Sequence, residues 1–198
     1  MTKVGFISLG CSKNLVDTEV MLKNLHDAGF EITPNEEEAE IVVVNTCGFI
    51  ESAKRESIDN ILDIAWLKEN GKCKHIIATG CLVERYRDEV MNELPELDAI
   101  LGVGSLSDIA DACRAVMKGE KYSSFRDKNT SPLGGDRILT TADHTAYLKI
   151  AEGCDNLCIR TLMQGHLEPT ENVPWSSIFP QQIQKAGKMT KAFFMIKT

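Results

Sequence analysis

Short β-rich runs alternate with helical segments over the first 118 residues, and this alternation restricts the possible folds most strongly. Residues 41–44 are four consecutive β-branched residues, the pattern of a strand buried on both faces. Strands alternating with helices indicate an α/β fold: a mostly parallel sheet with helices on its faces. The predicted strands are Lys3–Ser8, 30–33, 41–44, 74–78 and 99–103, and the predicted helices are 15–28, Glu51–Asn70, 83–92 and 108–117.

The second part of the chain has a different character. Residues 119–145 contain turn-forming residues with little periodicity, which predicts a linker between domains. A new β-rich run begins at Ala146 and leads into Cys154 and Cys158. The predicted organisation is therefore a first domain at 1–118, a linker at 119–145, the start of a second domain at 146–158 and a divergent tail at 159–198.

Three cysteines directly follow predicted strands, and each has a glycine beside it. They are Cys11, Cys47 and Cys81, separated by 36 residues (47 − 11) and 34 residues (81 − 47). Loops after parallel strands emerge at one edge of the sheet, where open α/β folds bind ligands, so the three thiols can converge. We also expect the helix N-termini that follow these loops to favour the thiolate form.

Three convergent thiolates suit a metal or iron–sulfur cluster with one position that no protein atom fills. Structural zinc would normally take a fourth protein ligand, and His75 is predicted to lie at the opposite end of its strand. Cys73 precedes its strand and Cys113 lies inside a helix, so neither is expected in the site. The alternative is that the three loop cysteines are simply small buried residues, as free cysteine often is.

Composition restricts the compartment and the partners. The net charge of −7 disfavours a general nucleic-acid binder, which normally has a basic face. No apolar run is long enough to span a bilayer, and the N-terminus lacks the pattern of a signal peptide, so we expect a cytoplasmic protein. In a reducing compartment, seven cysteines indicate metal or redox chemistry rather than disulfides.

Three sequence motifs resemble those of the methylthiotransferase family. The first is Leu9-Gly-Cys-Ser-Lys-Asn-Leu-Val-Asp-Thr-Glu19, and the second is Val44-Asn-Thr-Cys-Gly-Phe-Ile-Glu-Ser-Ala-Lys54. The third is Gly80-Cys-Leu-Val-Glu-Arg-Tyr86. The residues of these motifs resemble those of the RimO type, which modifies ribosomal protein S12, more closely than those of the MiaB type, which modifies tRNA. The resemblance covers about residues 1–158.

The resemblance implies two cofactor sites. Cys11, Cys47 and Cys81 would hold an auxiliary 4Fe–4S cluster. A radical S-adenosylmethionine barrel would follow, with a second 4Fe–4S cluster in a Cys-x3-Cys-x2-Cys motif whose first two positions are Cys154 and Cys158. The implied reaction adds a methylthio group to an aspartate of ribosomal protein S12, with S-adenosylmethionine as cofactor.

The sequence departs from this family pattern after Cys158. The third motif position is Thr161, whose hydroxyl is a poor substitute for a thiolate on iron. Residues 159–198 show no recognisable βα unit, and the 53 residues from Ala146 (198 − 145) are too few for a closed barrel of about 200 residues. We therefore expect an incomplete barrel fragment that is not competent for catalysis.

A reading-frame shift after Cys158, or a disrupted gene, would explain the departure, and translation of the other two frames would test that hypothesis. A genuine short protein with its own tail is the alternative. Two other functions stay open beside the methylthiotransferase interpretation. One is a stand-alone 4Fe–4S module without radical chemistry, and the other is an interaction domain whose cysteines are incidental.

Overall fold

A computed structural model describes residues 1–127, 135–142 and 144–149 and the backbone of one strand near the C-terminus. The strands are β1 (Lys3–Ser8), β2 (Glu31–Thr33), β3 (Ile41–Thr46), β4 (His75–Gly80), β5 (Ala99–Leu101), β6 (Tyr122–Ser124), β7 (Thr145–Lys149) and β8 (Lys191–Met195). The helices are α1 (Ser12–Asp27), α2 (Glu51–Asn70), α3 (Cys81–Glu93) and α4 (Ile109–Met117). Two short 3-10 helices, Glu36–Glu38 and Val103–Asp108, complete these elements.

Strands β1 to β6 form one sheet in the order β2-β1-β3-β4-β5-β6, and every neighbouring pair is parallel. The predicted α/β class with a mostly parallel sheet is confirmed. The chain runs from β1 to β2 on one side and then returns to pair β3 with the other side of β1. The strand order therefore reverses between β1 and β3, and the carboxyl ends of strands at such a switch point are where open α/β sheets bind ligands.

Helices cover both faces of this sheet, and the side chains of β3 alternate between the two cores. Val43 packs with Met21 and Leu25 of α1 and with residues of α4. Val42 and Val44 point to the opposite core, which α2 and α3 close. All six residues of β3 are buried as a result, in agreement with the β-branched run in the sequence.

Several element boundaries differ from the predictions, and some of these shifts affect the site. Helix α1 begins at Ser12 rather than at residue 15, and α3 begins at Cys81 rather than at residue 83. The predicted linker at 119–145 contains β6, which pairs with β5 through Ala99 opposite Tyr122. A three-residue strand with two serines carries no readable periodicity, and only its pairing with β5 defines it.

Strands β7 and β8 form a second, separate pair. They are parallel, with Thr145 opposite Lys191 and Lys149 opposite Met195. The sequence pattern did not predict β8. Cys154, Cys158 and Thr161 stand between the two strands in sequence and lie outside the described residues. Within the described part of the chain, no helix is long and apolar enough to cross a membrane.

Candidate metal centre

The three loop cysteines follow three adjacent strands at the carboxyl edge of the sheet. Cys11 is the N-cap residue of α1, Cys47 follows β3 directly, and Cys81 is the first residue of α3. Because β1, β3 and β4 are neighbours, the three loops lie side by side. The strand order reverses between β1 and β3, so the loops of Cys11 and Cys47 follow the two strands on either side of this switch point.

Two glycines let these loops approach closely. A Cβ added to Gly10 would lie 2.6 Å from the Cβ and 2.8 Å from the Sγ of Cys47. A Cβ added to Gly48 would lie 2.9 Å from the Cα of Leu82 and 3.4 Å from the carbonyl carbon of Cys81. The first loop therefore packs against the second, and the second packs against the third, at distances that only glycine permits.

The side chain of Asn14 connects all three loops. Its Nδ2 donates to the carbonyl oxygens of Leu9 (3.0 Å) and Thr46 (2.9 Å). Its Oδ1 lies 3.8 Å from the Sγ of Cys81, within reach of a weak thiol hydrogen bond. Asn14 is 1% exposed, so these contacts are shielded from water and hold the loops in register.

A second set of buried polar contacts fixes the backbone around Cys47. Asn45 donates from Nδ2 to the carbonyl oxygen of Asn14 (2.8 Å) and to Oγ1 of Thr18 (3.0 Å). The amide of Cys47 donates to Oγ of Ser57 (2.9 Å), and that hydroxyl also lies 2.9 Å from the carbonyl oxygen of Cys47. Ser57 is fully buried, so α2 fixes the orientation of this loop.

A buried carboxylate joins two lysines next to the thiols. Oδ2 of Asp17 lies 3.3 Å from Nζ of Lys13, and Oδ1 lies 2.6 Å from Nζ of Lys149. The side chains of Asp17 and Lys149 are each 7% exposed. Burial alone would lower the pKa of Lys13, but the negative charges of Asp17, Cys81 and Cys11 raise it overall.

The five cysteines within the described segments are free thiols with different surroundings. Cys11 is exposed, Cys47 is buried and Cys81 is partly buried. Burial raises the pKa of Cys81, against the opposing effect of the Lys13 charge. The prediction that a helix N-terminus favours the thiolate is therefore wrong for Cys81, because desolvation outweighs the neighbouring positive charge. Metal binding at Cys81 would have to displace the proton of its thiol.

The candidate donors at this edge are three thiols, the ligand type of iron–sulfur clusters. Among the residues that the structure describes, no group of three or more His, Cys, Asp and Glu side chains could hold one metal ion. A tetrahedral zinc ion, with bonds of about 2.3 Å, holds its sulfurs only about 3.8 Å apart. A cubane holds its thiolate ligands further apart, so three free thiols on neighbouring glycine-lined loops are compatible with it.

The remaining candidates lie away from this edge. Cys73 is buried ahead of β4, and its Sγ lies 3.5 Å from the carbonyl oxygen of His75. His75 is the first residue of β4, at the end opposite Cys81, and its Nδ1 lies 3.8 Å from Oδ2 of Asp98. Cys113 is buried inside α4, where burial raises its pKa to about 12.

Sequence reasoning missed four residues at this site: Lys13, Asn14, Asp17 and Lys149. The first three stand in the motif that contains Cys11, and their spacing places them in the first two turns of α1. Their closeness to Cys11 in sequence could have identified these three residues as candidates for the site. Lys149 meets Asp17 across 132 residues of sequence, and no local pattern reveals such a contact.

A family model described as "Uncharacterized protein family UPF0004" matches residues 3–102, half of the 198-residue chain. The chain belongs to this family. The matched segment of this UPF0004 member contains β1 to β5 and all three loop cysteines.

Curated relatives of this UPF0004 member are named ribosomal protein uS12 methylthiotransferase RimO. The relative from Caldicellulosiruptor saccharolyticus is 52% identical over 161 residues, which cover 80% of the chain and 36% of that relative. The relative from Clostridium botulinum is 50% identical over 160 residues (79% and 35%). The relative from Pelotomaculum thermopropionicum is 42% identical over 195 residues (98% and 44%), so this alignment extends beyond residue 158.

These relatives confirm the resemblance to RimO-type methylthiotransferases that the three motifs indicate. The chain spans between about a third and a half of the length of the curated relatives described above.

Proposed function

We propose that this chain binds an auxiliary 4Fe–4S cluster through Cys11, Cys47 and Cys81. We further propose that it serves methylthio transfer to ribosomal protein S12. The observation that carries the proposal is the position of the three thiols in adjacent βα loops, at the carboxyl edge of the sheet where the strand order reverses. Loops of this kind form the ligand site of open α/β sheets.

The contacts around the thiols support cluster binding. Gly10 and Gly48 allow the loops to pack closely, and Asn14 and Ser57 hold the backbone beside the cysteines. A 4Fe–4S cluster with three protein thiolates has one iron that can bind a sulfur-containing substrate. Free thiols also suit a reducing compartment, which supports the proposed cytoplasmic location.

The substrate proposal is based on the names of the relatives and on charge. The RimO relatives act, by name, on ribosomal protein uS12. The net charge of −7 favours a basic protein partner over free RNA, which makes the tRNA substrate of the MiaB type the second choice. By family resemblance, the target is an aspartate, S-adenosylmethionine is the cofactor, and Cys154 and Cys158 contribute to a second cluster.

Anaerobic reconstitution of the full chain tests the first proposal. Purified protein would be incubated with iron and sulfide, desalted, and analysed for iron, sulfide and visible absorbance. A Cys154→Ala/Cys158→Ala background limits loading to the auxiliary site, where we expect about four iron atoms per chain. Substitution of Cys11, Cys47 or Cys81 by alanine should abolish this loading, whereas Cys73→Ala and Cys113→Ala should retain it.

Two results would contradict the proposal. A colourless protein without iron would indicate an interaction domain with incidental cysteines. Equal loading of the Cys154→Ala/Cys158→Ala background and of its Cys47→Ala variant would place the iron elsewhere. Cleavage of S-adenosylmethionine by the reduced, reconstituted chain then separates the alternatives, because a stand-alone cluster module would not cleave it.

A further inference from the structure

Helix α2 presents two large apolar side chains on its solvent-facing side. Leu62 is 45% exposed and Trp66 is 63% exposed. Because these residues are four positions apart, they are neighbours on one side of the helix. The opposite side packs into the core through Ser57, Ile61 and Ile64. An exposed tryptophan beside a second apolar side chain is a feature of surfaces that bind other proteins.

Another exposed apolar pair lies at the start of the same helix. Phe49 is 40% exposed, and Ile50, the N-cap residue of α2, is 55% exposed. Both residues follow Cys47 within three positions. From residue 50 to Trp66, α2 rises about 24 Å along its axis. A partner that lies along α2 from Trp66 would therefore reach apolar side chains beside the candidate centre.

Carboxylates surround the apolar pair Leu62 and Trp66. The exposed charged residues of α2 are one arginine and five carboxylates, a formal charge of −4: Arg55, Glu51, Glu56, Asp59, Asp63 and Glu69. The two lysines of this helix contact its neighbours instead. Nζ of Lys54 lies 4.5 Å from the ring centroid of Tyr86 in α3, and Nζ of Lys68 lies 2.5 Å from Oδ2 of Asp98. The outer face of α2 is therefore both apolar and acidic.

The charge of this face restricts what can bind to it. A second copy of the chain would place like charges opposite each other, and RNA phosphates would be repelled as well. A protein segment rich in Lys and Arg would instead place its cations beside the carboxylates and its aliphatic stems on Trp66. Proteins that contact ribosomal RNA carry such basic segments for phosphate binding.

We propose that the outer face of α2, formed by Asp59, Leu62, Asp63 and Trp66, is a docking surface for a basic segment of the substrate protein. The inference rests on the proposed function, in which that protein is ribosomal protein S12. Each carboxylate precedes one of the apolar residues by three positions, so charge and apolar contact lie side by side on the helix. Since α2 begins four residues after Cys47, a segment bound there is held near the candidate centre.

The test is equilibrium binding of purified ribosomal protein S12 to the full chain without iron, so that binding is measured independently of cluster loading. Asp59→Lys/Asp63→Lys reverses the charge of the docking surface, and Trp66→Ala removes its aromatic ring. Glu36→Lys/Glu37→Lys is the matched control, since it makes the same charge change at exposed residues of a 3-10 helix. At physiological ionic strength, where exposed charges are screened beyond about 8 Å, we expect both α2 variants to bind about tenfold more weakly or worse. The control should bind like the unsubstituted chain.

The outcomes separate this inference from the proposed function. Weaker binding by both α2 variants, with unchanged urea unfolding, supports the docking surface. Equal binding of S12 by all forms would overturn the docking surface alone and leave the proposed substrate intact. If no form binds S12, this inference and the substrate proposal both fail, and iron loading still tests cluster binding separately.

Two further results would also overturn the inference, because they would assign the surface to another occupant. One is self-association of the chain that Trp66→Ala abolishes. The other is tRNA binding that Trp66→Ala weakens.

Discussion

The Cα of Gly10 faces the side chain of Cys47, so that a Cβ at residue 10 would lie 2.8 Å from the Cys47 sulfur. Gly10 also has a φ of +86°, a backbone conformation that other residues adopt only with strain. The residue before the first candidate ligand therefore determines how closely the loop of the second candidate ligand can approach. This contact makes the glycine a requirement of the site as well as of the turn.

Gly10→Ala should reduce iron loading strongly and lower stability by about 1–3 kcal/mol, since it combines backbone strain with overlap at Cys47. Gly29→Ala is the matched control, because Gly29 has a φ of +88° but nothing within 4 Å of the added Cβ. The Gly29→Ala variant should lose stability from backbone strain but should still load iron fully. Urea unfolding and iron analysis check both variants, and equal iron loading would contradict the expectation.

Asn14→Ala should destabilise the fold by about 1–3 kcal/mol, because the carbonyl oxygens of Leu9 and Thr46 would lose a buried donor. The loops of Cys11 and Cys81 would also lose their common contact, so iron should dissociate faster in the presence of a chelator. Asn60→Ala removes a half-buried helix asparagine whose exposed hydrogen bond goes to the carbonyl oxygen of Glu56, and it should change stability by less than about 0.5 kcal/mol. Similar chelator kinetics for both variants would argue against Asn14 as the loop connector.

Glu19 holds residues 137–140 of the predicted linker on α1. Its carboxylate accepts hydrogen bonds from the amide (2.8 Å) and hydroxyl (3.1 Å) of Thr140, and it lies 3.5 Å from Nη1 of Arg137. Glu19→Gln leaves Arg137 without its anion and should weaken this docking by up to about 3 kcal/mol. Hydrogen exchange at the Thr140 amide should then accelerate, whereas Glu31→Gln, an exposed partner of Lys3, should have no such effect. Unchanged exchange in the Glu19 variant would show that the ion pair is dispensable for docking.

Cys113 predicts a specific pH dependence of stability. Its folded-state pKa of about 12 exceeds the ordinary value of 9.0, so above pH 9 the unfolded chain releases a proton that the folded chain retains. Stability should therefore fall as pH rises, by about 1.4 kcal/mol per pH unit more than in a Cys113→Ala variant. Urea unfolding of both proteins from about pH 8 to pH 10.5 measures this difference. Parallel pH profiles would contradict the buried-thiol assignment.

Local sequence pattern predicts most of the elements in residues 1–118. The four β-branched residues 41–44 correctly indicate a doubly buried strand, and the helix predicted at Glu51–Asn70 from its apolar residues and the following Gly71 has the same bounds as α2. The loop cysteines then follow from chain order, because parallel strands place successive loops at one edge. Strand β6 was not predicted because its three residues show no alternation of apolar and polar side chains. Only their pairing with β5 in the folded chain defines the strand.

The surroundings of the site were less predictable, since they depend on tertiary contacts. The contact between Asp17 and Lys149 spans 132 residues, and the raised pKa of Cys81 comes mainly from burial. Helix position predicts the opposite direction for that thiol. Strand β8 was also missed, because its partner β7 lies more than 40 residues earlier in the sequence and only the folded chain aligns them.

A crystal structure of the anaerobically reconstituted Cys154→Ala/Cys158→Ala chain, with anomalous diffraction recorded at the iron absorption edge, tests most directly whether the three loop cysteines hold a cluster. We expect one iron peak at the carboxyl edge of the sheet, bonded to the sulfurs of Cys11, Cys47 and Cys81. Iron located elsewhere in a loaded crystal of this variant, or bonded to fewer than these three thiolates, would contradict cluster binding at this site.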